Sequence, residues 1–383
     1  MAHQPLIFPL FASAGLMPEL SQLGSFSSGL CFRSSVKHGS RLIAGKKFKQ
    51  GEKSQLLLPQ CKFQDLLMRK VGGSGKGEVR LGWRVLGFTE SEMAEAEDED
   101  GTWTGARVAV DIEDAQGNKE KIDAVYLIGA DGAHSTVRKQ LGVEFVGDTL
   151  DAQLVATDLR FDFHAHGFWD ANFVMDPVDY GLIGRIDEAE PPLWRVSYGV
   201  PLGTSEDEIV AGVHEKLGRM LPYGGRDGKG EGEIQYEVQR IAPYKAQQRA
   251  AETFWKDAES GGRVGLVGDA AHLTNPYAGL GLASGIADAS SLATVLIHIL
   301  SPSTQCTSSA KLLSSWANAR RQKFLNTVDK PSRVSYARVK TKVETDEDVQ
   351  RLLEKDPLVG ALAKGMPAMP PSLLTECESL EGR

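Results

Sequence analysis

The chain has 383 residues, with 43 Lys+Arg, 51 Asp+Glu and 4 Cys. At roughly 100–200 residues per domain the length suggests two domains, or one with an inserted layer, and 41% hydrophobic with 25% charged residues is an ordinary globular composition. Collagen-like, disulfide-scaffold and wholly disordered chains are excluded, and a net charge of −8 argues against a phosphate-coating nucleic-acid binder.

The first basic residue is Arg33, so the N-terminus lacks the positive region of a secretory signal. No run of about 20 apolar residues is expected to span a membrane. Cys31, Cys61, Cys306 and Cys377 are scattered without a CxxC pair, and no Asn-X-Ser/Thr sequon occurs. A reduced, cytoplasmic setting is expected.

Along the chain, Leu16 to Leu23 is compatible with a helix. A second helix is expected near Pro59, because Phe63, Leu66 and Leu67 recur at helical spacing. Residues 78–88 alternate as a strand. Glu90 to Asp100 is an acidic run that reads as an exposed hairpin loop. Residues 107–112 and 121–129 read as a β-hairpin around Gln116-Gly117-Asn118. The span 150–242 is rich in strand patterns and carries a Gly-rich surface loop from Gly224 to Gly232. His164-Ala165-His166 reads as a strand-edge pair. Residues 285–300, 309–328 and 346–363 read as helices, with a soluble tail behind them.

Two segments carry chemistry. In the first, an apolar strand from Asp123 runs into Asp131-Gly132, then Ser135 and Arg138. Gly132 permits a tight turn, and Ser135 can cap the helix that follows. Asp131 can hold a sugar or ribityl hydroxyl; alternatively Asp131, Ser135 and Arg138 stabilise the turn among themselves. In the second, a strand from Arg263 ends in Gly268-Asp269 and leads through Pro276 to Gly279, Gly281 and Gly285 at the start of a long helix. Free N–H groups and the positive dipole end favour an anion there. Close packing of helix on sheet explains the glycines equally well, but not the Gly-Asp at the strand end.

The two segments, at 131 and 269 with a β-rich region between, together resemble the paired motifs of the FAD-dependent aromatic hydroxylases, the para-hydroxybenzoate hydroxylase-like flavoprotein monooxygenases. The stretch GRVGLVGDAAHLTNPYAGLGLASGIADA is similar to that family's motif nearly throughout. LLLPQCKFQDLL resembles a family segment whose Gln helps hold the flavin, here Gln60. DKPSRVSYARVK and the strand at Leu193 to Tyr198 resemble fungal members of secondary metabolism.

The resemblance implies an α/β fold: an incomplete, discontinuous Rossmann-like FAD-binding domain over 1–149 and 243–345. It implies an inserted β-rich substrate domain over 150–242 and a C-terminal helical region over 346–383. It implies FAD, with NAD(P)H as co-substrate, and oxygen transfer from O₂ to an aromatic or polyketide-type small molecule. Cofactor contacts would come from Gln60, Asp131, Gly132, Arg138, Gly268, Asp269 and Pro276, and from Gly279, Leu280, Gly281, Leu282 and Ala283. Ala283 stands where the family usually has Asn. No side chain need act as a nucleophile. Substrate would lie on the central sheet, with Tyr180, Trp194 and Tyr198 as aromatic candidates or as core residues.

The family opens with a strand and GxGxxG. No such element is found near the front of this chain, so the first nucleotide-clasping unit is expected to be missing before Met1. A non-redox binding protein or cyclase on the same fold is the alternative. A hydrolase is disfavoured because no GxSxG occurs.

Overall fold

Alternation of apolar and polar residues at period two forces a strand to bury one face and present the other, and the largest element of the fold is built this way. In the computed structural model, which describes residues 2–90, 108–227, 230–257, 262–301, 309–366, 372–376 and 380, eight strands form one sheet. Their order is His272–Leu273, Glu237–Ala251, Phe145–Arg160, Leu193–Pro201, Gly181–Arg185, Ala171–Met175, Gly29–Ser34 and Leu42–Lys47. All neighbours are antiparallel except Ala171–Met175, which runs parallel to Gly29–Ser34 with Ala171 opposite Leu30. The sheet therefore draws two strands from the first 50 residues of the chain as well as from its middle.

One face of the sheet is closed by the helix Glu206–Met220, an element the strand-rich reading of 150–242 passed over. Its start is a capping box in which Ser205 and Glu208 bond reciprocally to each other's backbone. Ile209, Val213, Leu217 and Met220 from the helix pack with Val155, Leu159, Trp194, Val196 and Tyr198 from the sheet. The opposite face looks into a cavity.

A second, larger core joins the N-terminal segment to the helices that follow residue 281. It encloses a two-stranded parallel pair, Leu127–Gly129 with Val264–Leu266, in register Gly129 to Leu266. The expected hairpin is present as Val108–Glu113 with Lys119–Ala124, completed by Arg84–Glu90. Of the expected strand at 78–88 only the last residues form it. The acidic run from residue 91 onward lies outside the described residues, as do Cys306 and Cys377, while Cys31 is buried and Cys61 exposed.

The helix expected near Pro59 is Gln60–Gly73, with Pro59 as its N-cap. Two other helical segments depart from expectation. The segment expected as one helix over 309–328 is Ser309–Lys323, then a π-helical stretch Phe324–Asp329, then Lys330–Val339. The segment 346–363 is broken at Asp356, whose side chain caps a new helix at Pro357. His164 and His166 sit in a short 3₁₀ turn, where His164 contacts the Asp170 carboxylate at 3.0 Å.

Among the described residues one helix, Gly281–Leu300, is long and apolar enough by length and composition to cross a membrane, a test that the core helix of a globular protein also passes. It serves as a core helix: Ala283, Ala287, Leu292 and Val295 are buried against the larger core, while Ile297 and Leu300 face outward.

Candidate functional site

The two chemistry-bearing turns leave adjacent ends of the parallel pair. Gly132 and Gly268 adopt φ of 80° and 58°, left-handed values that a residue with a Cβ adopts only under strain. The Asp131 carboxylate accepts from Ser135 Oγ at 2.5 Å, Thr136 N at 2.7 Å and Val137 N at 3.2 Å. It thus caps the short helix Thr136–Gln140, as in the self-stabilised reading of this turn. Arg138 does something else. Its guanidinium donates to Ala133 O and Ala270 O, both at 2.7 Å, and so ties the first turn to the second.

Asp269 is exposed on the second turn. Surrounding protein pushes its carboxyl above the ordinary carboxylate value, and His272 pulls it part of the way back. The Gly268 N–H beside it donates to Asp288 Oδ2 at 3.2 Å. Asp288 is fully buried and meets His272 Nε2 at 2.6 Å and Arg320 Nε at 2.8 Å. Burial raises the Asp288 carboxyl, and His272 and Arg320 together more than reverse it, leaving it below the ordinary value. Sequence reasoning missed this trio. Its one local signal was an Asp inside an otherwise apolar helix.

The cavity of about 990 Å³ lies between the large sheet, the N-terminal segment and the helices from 281 and 330. Among the expected contacts, Gln60, Pro276, Gly279, Leu280, Gly281 and Leu282 line it. Asp131, Gly132, Arg138, Gly268 and Asp269 do not; they gather at the ends of the parallel pair. Ala283 faces neither, being buried in the core. The two places are joined by backbone: a Cβ on Gly285 would stand 3.2 Å from the Gly268 Cα.

At the cavity wall the helix Gly281–Leu300 begins without a side-chain cap, so its first N–H groups are left for another acceptor. Gly279 has φ 64° and passes close to Gln4, whose Nε2 would be 2.8 Å from an added Cβ. A Cβ on Gly281 would meet Thr274 Cγ2 at 3.3 Å. The positive φ favours glycine at 279, and the small residues leave the helix end open to a ligand.

The sheet supplies the cavity floor in two rungs. In the first, Leu30, Ala171, Gly184, Arg195, Asp158 and Arg240 stand side by side on six strands. In the second, Phe32, Phe173, Leu182, Ser197, Ala156 and Ala242 do so. All but Asp158 line the cavity.

Alternation then places the three aromatic candidates elsewhere. Trp194 and Tyr198, flanking Arg195 and Ser197, project to the opposite face and are buried under the helix Glu206–Met220. Tyr180 is buried in a cluster with Tyr277 and Tyr336, its hydroxyl 3.3 Å from that of Tyr336. Tyr336 donates to Asp151 Oδ1 at 2.5 Å. Burial, with Asp151 adding to it, pushes the Tyr336 hydroxyl far above the ordinary phenol value. The sequence motif missed the residues that do face the cavity: Phe32, Phe173, Arg195, Ser197 and Arg240.

Comparison with known proteins follows the same outline. Para-nitrophenol 4-monooxygenase of a Pseudomonas species is 40% identical over 209 residues, 55% of this chain and 48% of that protein. The 6-hydroxy-3-succinoylpyridine 3-monooxygenase HspB of Pseudomonas putida is 35% identical over 208 residues, 54% of this chain and 48% of its own length. The chain thus spans about half the length of these curated relatives. The crystal structure of p-nitrophenol 4-monooxygenase PnpA from Pseudomonas putida superposes with a TM-score of 0.78 at 28% identity, covering 95% of this chain and 85% of that one. The family model described as FAD binding domain matches residues 8–330. With that match over most of its length, the chain belongs to the FAD-binding domain family.

Proposed function

We propose that this protein is an FAD-dependent monooxygenase that places one atom of O₂ on an aromatic ring. The observation that carries this reading is that one cavity joins an uncapped helix start, lined by glycines, to a sheet floor of apolar and small residues. The first part suits the phosphate and ring edge of a dinucleotide, and the second suits a planar substrate. The activities in the names of the relatives, a nitrophenol and a hydroxypyridine monooxygenase, are of this kind.

The residues present fit FAD. The backbone from Gly279 to Leu282 would meet its anionic and ring-edge portions, Gln60 would reach it from the helix Gln60–Gly73, and Pro276 would stand beside the reacting face. Asp269, exposed on the second turn, would accept from a hydroxyl of the chain between ring and phosphate. Bound FAD supplies the two-electron link between a reduced nicotinamide and O₂. In balance, an aromatic C–H, O₂, NAD(P)H and a proton give the phenol, water and NAD(P)⁺. The protein's own work is to hold the ring against the floor and to keep water from it.

The test is reconstitution. The purified protein titrated with FAD is expected to take up one equivalent and then to oxidise NADPH or NADH faster when a phenol is added, with a hydroxylated product. Absence of flavin uptake overturns the reading.

A further inference from the structure

We infer that Asp329 is a positioning residue: through Gln248 and Asn275 its carboxylate fixes the backbone of the cavity wall against which the flavin would stand. The inference rests on the proposed oxygenase function and adds to its machinery a residue that does not line the cavity.

Thr274 to Leu282 line the cavity without a break. Apart from the short turn Pro276–Ala278 and the start of the helix Gly281–Leu300, this wall has no regular structure to hold its backbone. Thr274 Oγ1 and Tyr277 Oη are buried without a hydrogen-bond partner among the described residues. The Tyr277 ring packs against Tyr180 and Tyr336, which places the ring but not the peptide groups on either side of it. That leaves Asn275. Its Oδ1 accepts from Tyr277 N at 3.0 Å and so caps the turn Pro276–Ala278. Its Nδ2 donates to Ser332 O at 2.9 Å and to Gln248 Oε1.

Asn275 and Gln248 are both buried. Gln248 Nε2 donates to Asp329 Oδ1 at 2.8 Å and, at 3.4 Å, to Asp329 O. A carboxylate can only accept. It therefore turns Nε2 of Gln248 toward itself, which leaves Oε1 for Asn275. That turns Nδ2 of Asn275 toward Gln248 and leaves Oδ1 for the Tyr277 N–H. Reversing either amide would set like atoms against each other in a buried place, so Asp329 selects the one orientation that pairs them all. Its other oxygen is held by Arg333 Nε at 2.9 Å. Asp329 ends the π-helical stretch Phe324–Asp329, a rare geometry that recurs at functional sites. At the other end of the stretch Phe324 stacks on His272 at 4.2 Å, and between them Asn326 lines the cavity. The stretch thus grips the chain on both sides of Thr274, at His272 directly and at Asn275 through Gln248.

The experiment has two arms on the full chain. Hydrogen exchange of peptides covering 274–282 is followed by mass spectrometry on the flavin-free protein, and FAD affinity is measured by fluorescence titration. Asp329→Ala and Gln248→Met are each expected to speed exchange over 274–282 and to weaken FAD binding about tenfold. Leu217→Ala, in the core on the far side of the sheet, controls for a general loss of stability and should do neither. Because Asp329 acts through Asn275, the double variant Asp329→Ala/Asn275→Ala should bind FAD no more weakly than Asn275→Ala alone. Unchanged exchange in Asp329→Ala, an equal rise in Leu217→Ala, or losses that add in the double variant each overturns the inference. A parent protein that takes up no FAD counts against the oxygenase reading, and the exchange arm then decides the role of Asp329 by itself.

Discussion

Arg138 Nη1 donates to the carbonyl oxygen of Ala270 at 2.7 Å, across 132 residues of sequence. The same guanidinium reaches Ala133 O and lies 3.8 Å over the Phe145 ring. One buried side chain therefore sets the distance between the Asp131-Gly132 turn and the Gly268-Asp269 turn. Arg138→Met keeps the stem and removes both bonds, leaving two carbonyls without their donor. A loss of about 2–4 kcal/mol is expected in urea unfolding, together with weaker FAD retention. An unchanged unfolding midpoint would remove this role from Arg138.

Gly279 offers a test of the helix start that needs no substrate. At φ 64° an alanine is strained by about 1–2 kcal/mol. The clash with Gln4 is relieved by rotation of that flexible side chain, so the strain remains as the main cost. Gly279→Ala is expected to weaken FAD binding several-fold more than it lowers the melting temperature implies. Equal flavin affinity in variant and parent would show that the 279–282 backbone is not a cofactor contact.

A pH effect follows from His3. Its ring is fully buried against Phe11 and Phe63, with neither nitrogen hydrogen-bonded. Burial lowers its pKa from 6.5 to about 4. The unfolded chain takes up this proton near 6.5 and the folded chain does so only near 4. The stability is therefore complete above pH 6.5 and is lost as pH falls through that window, by about 3 kcal/mol at most. Urea midpoints measured from pH 7.5 to 4.5 should show the fall, and His3→Leu should flatten it. Parallel curves for the two proteins would exclude His3 as the source.

Trp194 separates core from cavity. It is fully buried on the helix side of the sheet, so Trp194→Ala should cost about 3–5 kcal/mol in stability. Ligand affinity of the folded fraction should change by no more than about twofold. A selective loss of ligand binding would place Trp194 in the site after all.

The parts of the site that were legible in the sequence are local. A strand ending in Asp131-Gly132 or Gly268-Asp269, and glycines at the start of the 281 helix, announce themselves within a dozen residues, because the turn geometry demands those residue types. The cavity floor is not local. The alternation from Leu193 to Val200 is plain, but only pairing with five other strands decides that Arg195 and Ser197 face the cavity while Trp194 and Tyr198 face the core. The trio of Asp288, His272 and Arg320 was hidden for the same reason, its members being 16 and 32 residues apart. The helix Glu206–Met220 had a readable start in Ser205-x-x-Glu208, which the surrounding strand patterns masked.

The parallel pairing of Gly29–Ser34 with Ala171–Met175 joins residues 141 apart, as at Cys31 and Asn172. Such a closure is slow, because the loop entropy is lost before the contact repays it. Leu30 and Phe32 therefore line the cavity only where the first 50 residues are paired with the middle of the chain. The apolar end of the floor exists only in the closed chain, so ligand binding there reports that the chain has closed on itself.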